Sequence, residues 1–469
     1  MGNVGISFGS PTSGQGFDVS STVSQIVGNL RAIETPWKNQ LTSLQAQDTA
    51  LTSIGTDLSS LSTALQSLTD FEGVLSEKEG SSSDTSVLEL TGATSSAVAG
   101  SHTIVVSSLA QTASWYSDDL AASDTLSGSL VVNGQTITLS DGTATDSSGN
   151  TIPANNALAS LAAYINSGSY GVTANVITDS GGSRLSLVSD TSGQSGNFSV
   201  DSGGLTDTAT GSTVGFSEPQ TGEDASFSVD GIPMTSGSNT VTSAIPGVSF
   251  QLLSAAPGEP VQVEIANNNS DVESAVSGFV NAYNAVVKDL NTQEGQDSSG
   301  NPEPLYGNPN VAMLQEQLQQ ALGFTQSSGA ITSLTQLGIT ASSSDDGTLT
   351  LDSSTLGSML NSNYQDVVNF FQPSGSFASF GDNLTTVLNG LGNSAPDGAI
   401  YLALQQDSSE ETQLNTNIGN EDATISAEQT QLTTELNQAN YTLQEIPSQI
   451  QEINEMYSAI TGYSQNTNG

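Results

Sequence analysis

Apolar residues recur at heptad spacing through the first part of the chain. Leu30, Trp37, Leu44, Leu51, Leu58 and Leu65 mark one line, and Ile33, Ile54, Leu61 and Leu68 mark a second three residues on. A repeat sustained this long predicts a coiled coil or a long bundle helix. The helix is expected over 18–72, capped by Asp18 or Ser20, with few breakers beyond Pro36 and Gly55. Gln40 and Gln47 interrupt the second line, so its first half should pair loosely. Pro36 should mark a kink or a break between two helices.

Between 84 and 270 the pattern changes to short Val/Ile/Thr/Leu runs separated by Gly, Asp, Asn and Ser. In SLVVNGQTITL, Asn133-Gly134 is flanked by alternating apolar residues, and Asp230-Gly231 repeats this in ASFSVDGIPM. Both predict tight hairpins, because the primed turns need positive φ at their central residues. A helix is expected in ALASLAAYIN at 157–166. The zone reads as two β-rich domains.

From 271 onward the helical period returns. Val276, Phe279, Val280, Tyr283, Val287 and Leu290 share a helix face in 274–291. A loop at 292–310 leads to a helix near Val311–Leu322, a β-like GTLTLD at 347–352, and a helix bearing Val367, Val368, Phe370 and Phe371. Ile418, Ile425, Leu432, Ala439, Ile446, Ile453 and Ile460 then form an unbroken heptad line. Leu436, Leu443, Ile450 and Tyr457 accompany its second half, while Asp422 and Gln429 weaken the first. Pro447 should kink this helix. The fold class is therefore α+β multidomain: both chain ends pair antiparallel in a helical leg, with two β-rich domains inserted between them. Neither apolar line is wide enough for a private bundle, and spare apolar surface of this kind is usually covered by other subunits. The candidate coiled-coil and assembly residues are Leu30, Ile33, Trp37, Leu41, Leu44, Leu51, Ile418, Ile425, Leu432, Leu436, Leu443, Ile446, Ile450 and Ile453. An ordinary intramolecular helical hairpin is the plainer alternative.

Charge narrows the partners. Against 48 Asp plus Glu the chain has 5 Lys plus Arg, a net charge of −43, yet charged residues are only 11% of its 469. A typical domain holds about 25%. The unusual feature is missing cations rather than crowded acids. Neutralising phosphates needs clustered Lys and Arg, which argues against nucleic acid, and anionic membrane surfaces should repel the chain. No apolar run approaches the roughly 20 residues needed to span a bilayer. Cysteine is absent, which removes disulfides and thiolate chemistry. The opening MGNVGISFGSPTSGQGFD has neither the basic nor the apolar region of a cleaved secretory signal. The Ser/Thr/Gly-rich composition nevertheless suits an extracellular protein, which would then need a dedicated export route.

The search for chemistry is mostly negative. The one histidine, His102 in AGSHTIVVSSLA, lies at the start of a strand without a nucleophile elbow nearby, and reads as a strand-edge polar residue. No phosphate-loop, zinc-protease or dinucleotide motif occurs. A carboxylate pair could serve a glycosidase, but aromatics are only 5% and Trp37 lies on the heptad line. No enzyme activity, cofactor or metal is expected. DSSGN at 146–150 and 297–301, and SDDGTLTLD at 344–352, miss the calcium-loop pattern and read as Asx-Gly turns.

Several stretches together resemble the flagellar filament-capping family (hook-associated protein 2, FliD). They are GQGFDVSSTVSQIV at 14–27, AGSHTIVVSSLAQTAS at 99–114 and ASFSVDGIPMTSGSNTVTSAIPGVSFQLLSAAPGEPVQVEI at 225–265. FVNAYNAVVKDLN and SLTQLGITASSSDDGTLTLDSSTL at 333–356 continue the likeness. ALASLAAYINSGSYGVTANVI, with RLSLVSDTSGQSGNFSV after it, resembles the "IN" motif shared with flagellins. The family's terminal helices commonly carry many Lys and Arg; here they hold almost none beyond Arg31 and Lys38.

The resemblance implies a ring-shaped homo-oligomer, a pentamer, at the distal filament tip. It would retain exported flagellin and promote its folding and insertion. Partners would be flagellin, hook–filament junction proteins and an export chaperone at the C-terminal helix. Export would run through the flagellar type III channel without a cleaved signal. The implied layout is 1–45 with 421–469 as a coiled-coil leg, flexible before assembly. A helical-bundle leg would comprise 46–83 with 271–420, a β plate 84–115 with 222–270, and an outer β domain 116–221. The alternatives are a flagellin or hook–filament junction protein, or a surface adhesin.

Overall fold

The computed structural model describes residues 15–121, 123–327, 329–344, 346–373, 378–392 and 396–462. Residues 1–14, most of the opening without a secretory-signal pattern, lie outside them. Helices α1 (Val19–Leu30) and α2 (Glu34–Thr69) are joined by a 3-10 turn at Arg31–Ile33. Strands follow as β1 Lys78–Ser82, β2 Leu88–Ala93, β3 Gly100–Ser108, β4 Thr112–Ser117, β5 Leu126–Val132 and β6 Gln135–Thr138. Helix α3, Leu158–Ser167, precedes β7 Val172–Thr178, β8 Ser183–Ser192, β9 Val200–Asp201, β10 Leu205–Asp207 and β11 Phe216–Gln220. Then come β12 Ala225–Val229, β13 Ile232–Ser236, β14 Thr240–Ile245, β15 Val248–Leu252 and β16 Val261–Asn267. Helices α4 Asn269–Gln293 and α5 Pro309–Leu322 lead to the short strands β17 Ile339–Ala341 and β18 Leu349–Leu351. Helices α6 Ser353–Ser362, α7 Tyr364–Phe371, α8 Phe380–Leu391 and α9 Ala399–Thr461 follow.

These elements form two compact units, residues 1–69 with 273–469 and residues 70–272. In the helical unit, Asp18 caps α1 by accepting Ser21 N–H at 3.0 Å. The helical break falls at the 3-10 turn, just before the position Pro36 suggested. Pro36 itself sits in the first turn of α2, where its missing N–H removes no intrahelical bond. Leu51, Ile54, Leu58, Leu61, Leu65 and Leu68 are all at or below 2% exposure. Phe370 stacks on Phe380 at 5.2 Å, and Phe279 meets Phe380 edge-on at 6.0 Å, so rings from α4, α7 and α8 share one core. The helix α9 continues through Pro447. Helices α6 and α8 have no counterpart in the sequence reading.

The β unit holds two cores. One gathers Ile104, Val106, Phe227, Phe250 and Val263 between a sheet ordered β1-β16-β3-β12-β13 and another ordered β14-β15-β2. The other gathers Leu130, Ile137, Leu161, Ile165, Leu185 and Leu187 among β4–β8 and α3. Both expected hairpins form: Asn133 and Gly134 have φ of 50° and 73°, and Asp230 and Gly231 have 51° and 80°. The Asx turns form as well. Asp146 Oδ1 accepts Ser148 and Asn150 N–H, each at 2.8 Å, and Asp297 does the same for Ser299 and Asn301.

Four asparagines brace the β unit in one shared way. Each amide accepts a backbone N–H and donates to a backbone C=O, as a neighbouring strand would. Asn155, with 0% exposure, holds Ser140 N at 2.7 Å and Thr138 O at 3.1 Å. Asn166 of the IN sequence holds both groups of Ala174, at 2.7 and 2.8 Å, covering part of the β7 edge. Asn197 clamps Gly222 and Asn239 clamps Ala110 likewise. His102 falls near the start of its strand, as expected. It lies on β3, the central strand of its sheet, and its Nδ1 meets Asp230 at 2.8 Å.

Candidate assembly interface: the terminal helical seam

Polar contacts fix how the two chain ends pair. Asn440 Oδ1 accepts Phe17 N–H at 2.8 Å, Arg31 reaches Asp422 at 2.5 Å, and Gln40 donates to Glu410. Position rises on one helix as it falls on the other, so α1 and α2 run antiparallel to α9. The apolar lines then face each other, as their heptad spacing requires.

The candidate residues differ in how far this pairing covers them. Leu44, Leu51 and Ile425 are buried, at 7%, 1% and 1% exposure. Leu30, Trp37, Leu41, Ile418, Leu432, Leu436, Leu443 and Ile446 are half-buried. Ile33, Ile450 and Ile453 stay open at 56%, 39% and 61%. Met456, Tyr457 and Ile460 extend that open stripe at 59%, 58% and 80%. Coverage thus fades along α9 although its heptad does not: α1 begins at Val19, opposite the stretch near Asn440, and the described partner helix stops there.

Charge along the seam is uneven. Glu34, with its side chain 1% exposed, accepts from Lys38 at 2.7 Å and Arg31 at 3.3 Å, and Arg31 continues to Asp422. Two cations meet two carboxylates, so this knot is neutral. Beyond Gln40 and Glu410 the balance fails. Burial, then the carboxylates of Asp48, Glu410 and Glu411, push Asp407 up to about 6. Sequence reading missed this acidic stretch. The signal was available: tracing the Ile418 heptad one step back places Glu411 in the apolar line, after Leu404. Among the described residues no cluster of His, Cys, Asp and Glu could hold a metal ion, and no helix is long and apolar enough to cross a membrane.

The chain matches the flagellar hook-associated protein 2 C-terminus over residues 222–462, the N-terminus of the same family over 15–113, and the flagellin hook IN motif over 130–191. The B-type flagellar hook-associated protein 2 of Pseudomonas aeruginosa is 29% identical over 150 residues, 31% of each chain. Flagellar hook-associated protein 2 of Helicobacter pylori is 26% identical over 153 residues, 32% of this chain and 22% of that one. The chain thus aligns with a third or less of the length of these relatives. The D1-D2-D3 domains of the Escherichia coli flagellar cap protein FliD superpose with a TM-score of 0.56 at 22% identity, covering 76% of this chain and 99% of that one. That likeness shows a shared fold of terminal long helices with antiparallel sheets between them. With its N- and C-terminal family regions both matched in order, the chain belongs to the flagellar hook-associated protein 2 (FliD) family of flagellar cap proteins.

Proposed function

We propose that this chain forms the cap at the distal end of a bacterial flagellar filament. Five copies close into a ring, retain exported flagellin beneath it, and promote its folding and insertion. The observation that carries this reading is the terminal seam: both chain ends build one antiparallel leg whose outer stripe, Ile450, Ile453, Met456, Tyr457 and Ile460, is left open. A closed ring supplies neighbours for such a stripe by symmetry.

In this reading 1–45 with 421–469 is the leg that grips the filament, and Leu30, Ile33, Trp37 and the α9 heptad are its contact residues. Residues 46–83 with 271–420 form the bundle part of the leg. The plate is 84–115 with 222–270, and 116–221 is the outer domain. Flagellin and the hook–filament junction proteins are the partners, and an export chaperone takes the C-terminal helix. The chain leaves through the flagellar type III channel and works outside the cell, as a structural protein rather than an enzyme.

The IN-motif match favours one rival, a flagellin. Purified flagellin would polymerise into long filaments, whereas a cap stops at closed rings. The deciding experiment is deletion of the gene in its source organism, with filament microscopy and assay of flagellin in the medium. Stunted filaments with monomeric flagellin spilling out are expected, rescued by the full chain and not by one lacking 1–45. Normal filaments would refute the reading.

A further inference from the structure

The acidic stretch of the seam is built unlike a solvated acidic face. Asp48 projects from α2 toward Asp407 of α9, with Glu410 and Glu411 beside it. Glu410 has a donor in Gln40. Asp48 Oδ1 and Glu411 Oε1 have none, and both atoms are sealed from water. Helix α8 packs on both helices, but its one acid, Asp382, is occupied capping its own helix with Ser379. Lys38 lies about 15 Å back along α2 and is held by Glu34.

Two ionised carboxylates are acceptors only, so Asp48 and Asp407 in hydrogen-bond contact need a proton between them. We propose that this stretch is a proton-operated clasp: α2 and α9 close when Asp48 and Asp407 share one proton and slacken when both ionise. The direction follows from linkage. Asp407 titrates near 6, above its ordinary range. Its contribution to the closed seam is therefore full below about 4 and lost as pH rises past about 6. The clasp concerns two paired helices and stands whether or not the chain caps a filament.

Hydrogen exchange on the full-length protein at pH 5 and pH 8, corrected for the intrinsic pH dependence, tests it. Amides of 403–414 and 44–52 should be about tenfold more protected at pH 5, while those of the β unit stay level. Asp407→Asn, whose neutral amide can donate to Asp48, should hold the acid level of protection at pH 8. Asp48→Asn should do the same and decides the matter should the first variant fail to fold. Asp57→Asn, farther along α2 and beside Asp289 of α4, should keep the wild-type response. Equal seam protection at both pH values in the wild type would overturn the proposal. So would a wild-type pH response surviving in both seam variants, or a response shared by the β unit.

Discussion

The β unit and the α2–α9 seam meet the shortage of Lys and Arg in opposite ways. The β unit uses neutral amides, Asn155, Asn166, Asn197 and Asn239, to hold backbone groups. Its shifted acids are turn and strand acceptors. Hydrogen bonds from Ser86, Thr143, Asn150, Thr210 and Thr103 hold Asp84, Asp141, Asp146, Asp207 and Asp230 below their ordinary range. Beyond the Arg31–Asp422 pair, the seam instead packs carboxyl against carboxyl and raises Asp407. The lesson is that one composition can yield regions of opposite pH response, because local donors decide the sign and net charge does not.

The strongest way to break this contrast is to give the β unit a buried carboxylate. Asn155→Asp keeps the acceptor for Ser140 N–H but sets a charge against Thr138 C=O, and should cost about 4 kcal/mol at pH 8. Urea unfolding of the full chain should show the loss shrinking as pH falls and the acid regains a proton to donate. Next in size, Ile425→Ala should cost about 3 kcal/mol, because its buried side chain leaves a cavity. The heptad-equivalent Ile453→Ala should stay within about 0.5 kcal/mol, because Ile453 is already exposed.

An acid titration sharpens the comparison without any substitution. The lowered carboxylates stabilise the β unit above their ordinary values, and that contribution is lost as pH falls through the depressed ones. Exchange protection in 70–272 should therefore fall below about pH 4, while the Asp48–Asp407 stretch of the seam should by then have reached its full protection. The smallest effect belongs to Asp230→Asn. It keeps an oxygen for Thr103 N–H but removes the carboxylate charge and the second oxygen, which faces His102, and the turn it latches is exposed. Thermal melting should place the variant below wild type near neutral pH and converge with it in strong acid.

Much of the architecture was readable because its causes are local. Asn133-Gly134 and Asp230-Gly231 require positive φ wherever they stand, and both hairpins formed. The heptads of Leu44, Leu51 and Ile425 name one helix face regardless of what covers it. Pro36 was read as the break, but a first-turn proline suits a helix start, so the break came at Arg31–Ile33 instead.

By itself the sequence determined most of the elements and their apolar faces, since periodicity and turn chemistry act over a few residues. Only the tertiary structure decided that Ile425 is sealed while Ile453 is open, that Asn155 and Asn166 serve as backbone clamps, and that Asp48 meets Asp407. Burial and proton sharing depend on what lies across the gap, and residues far apart in the chain are brought there by packing alone.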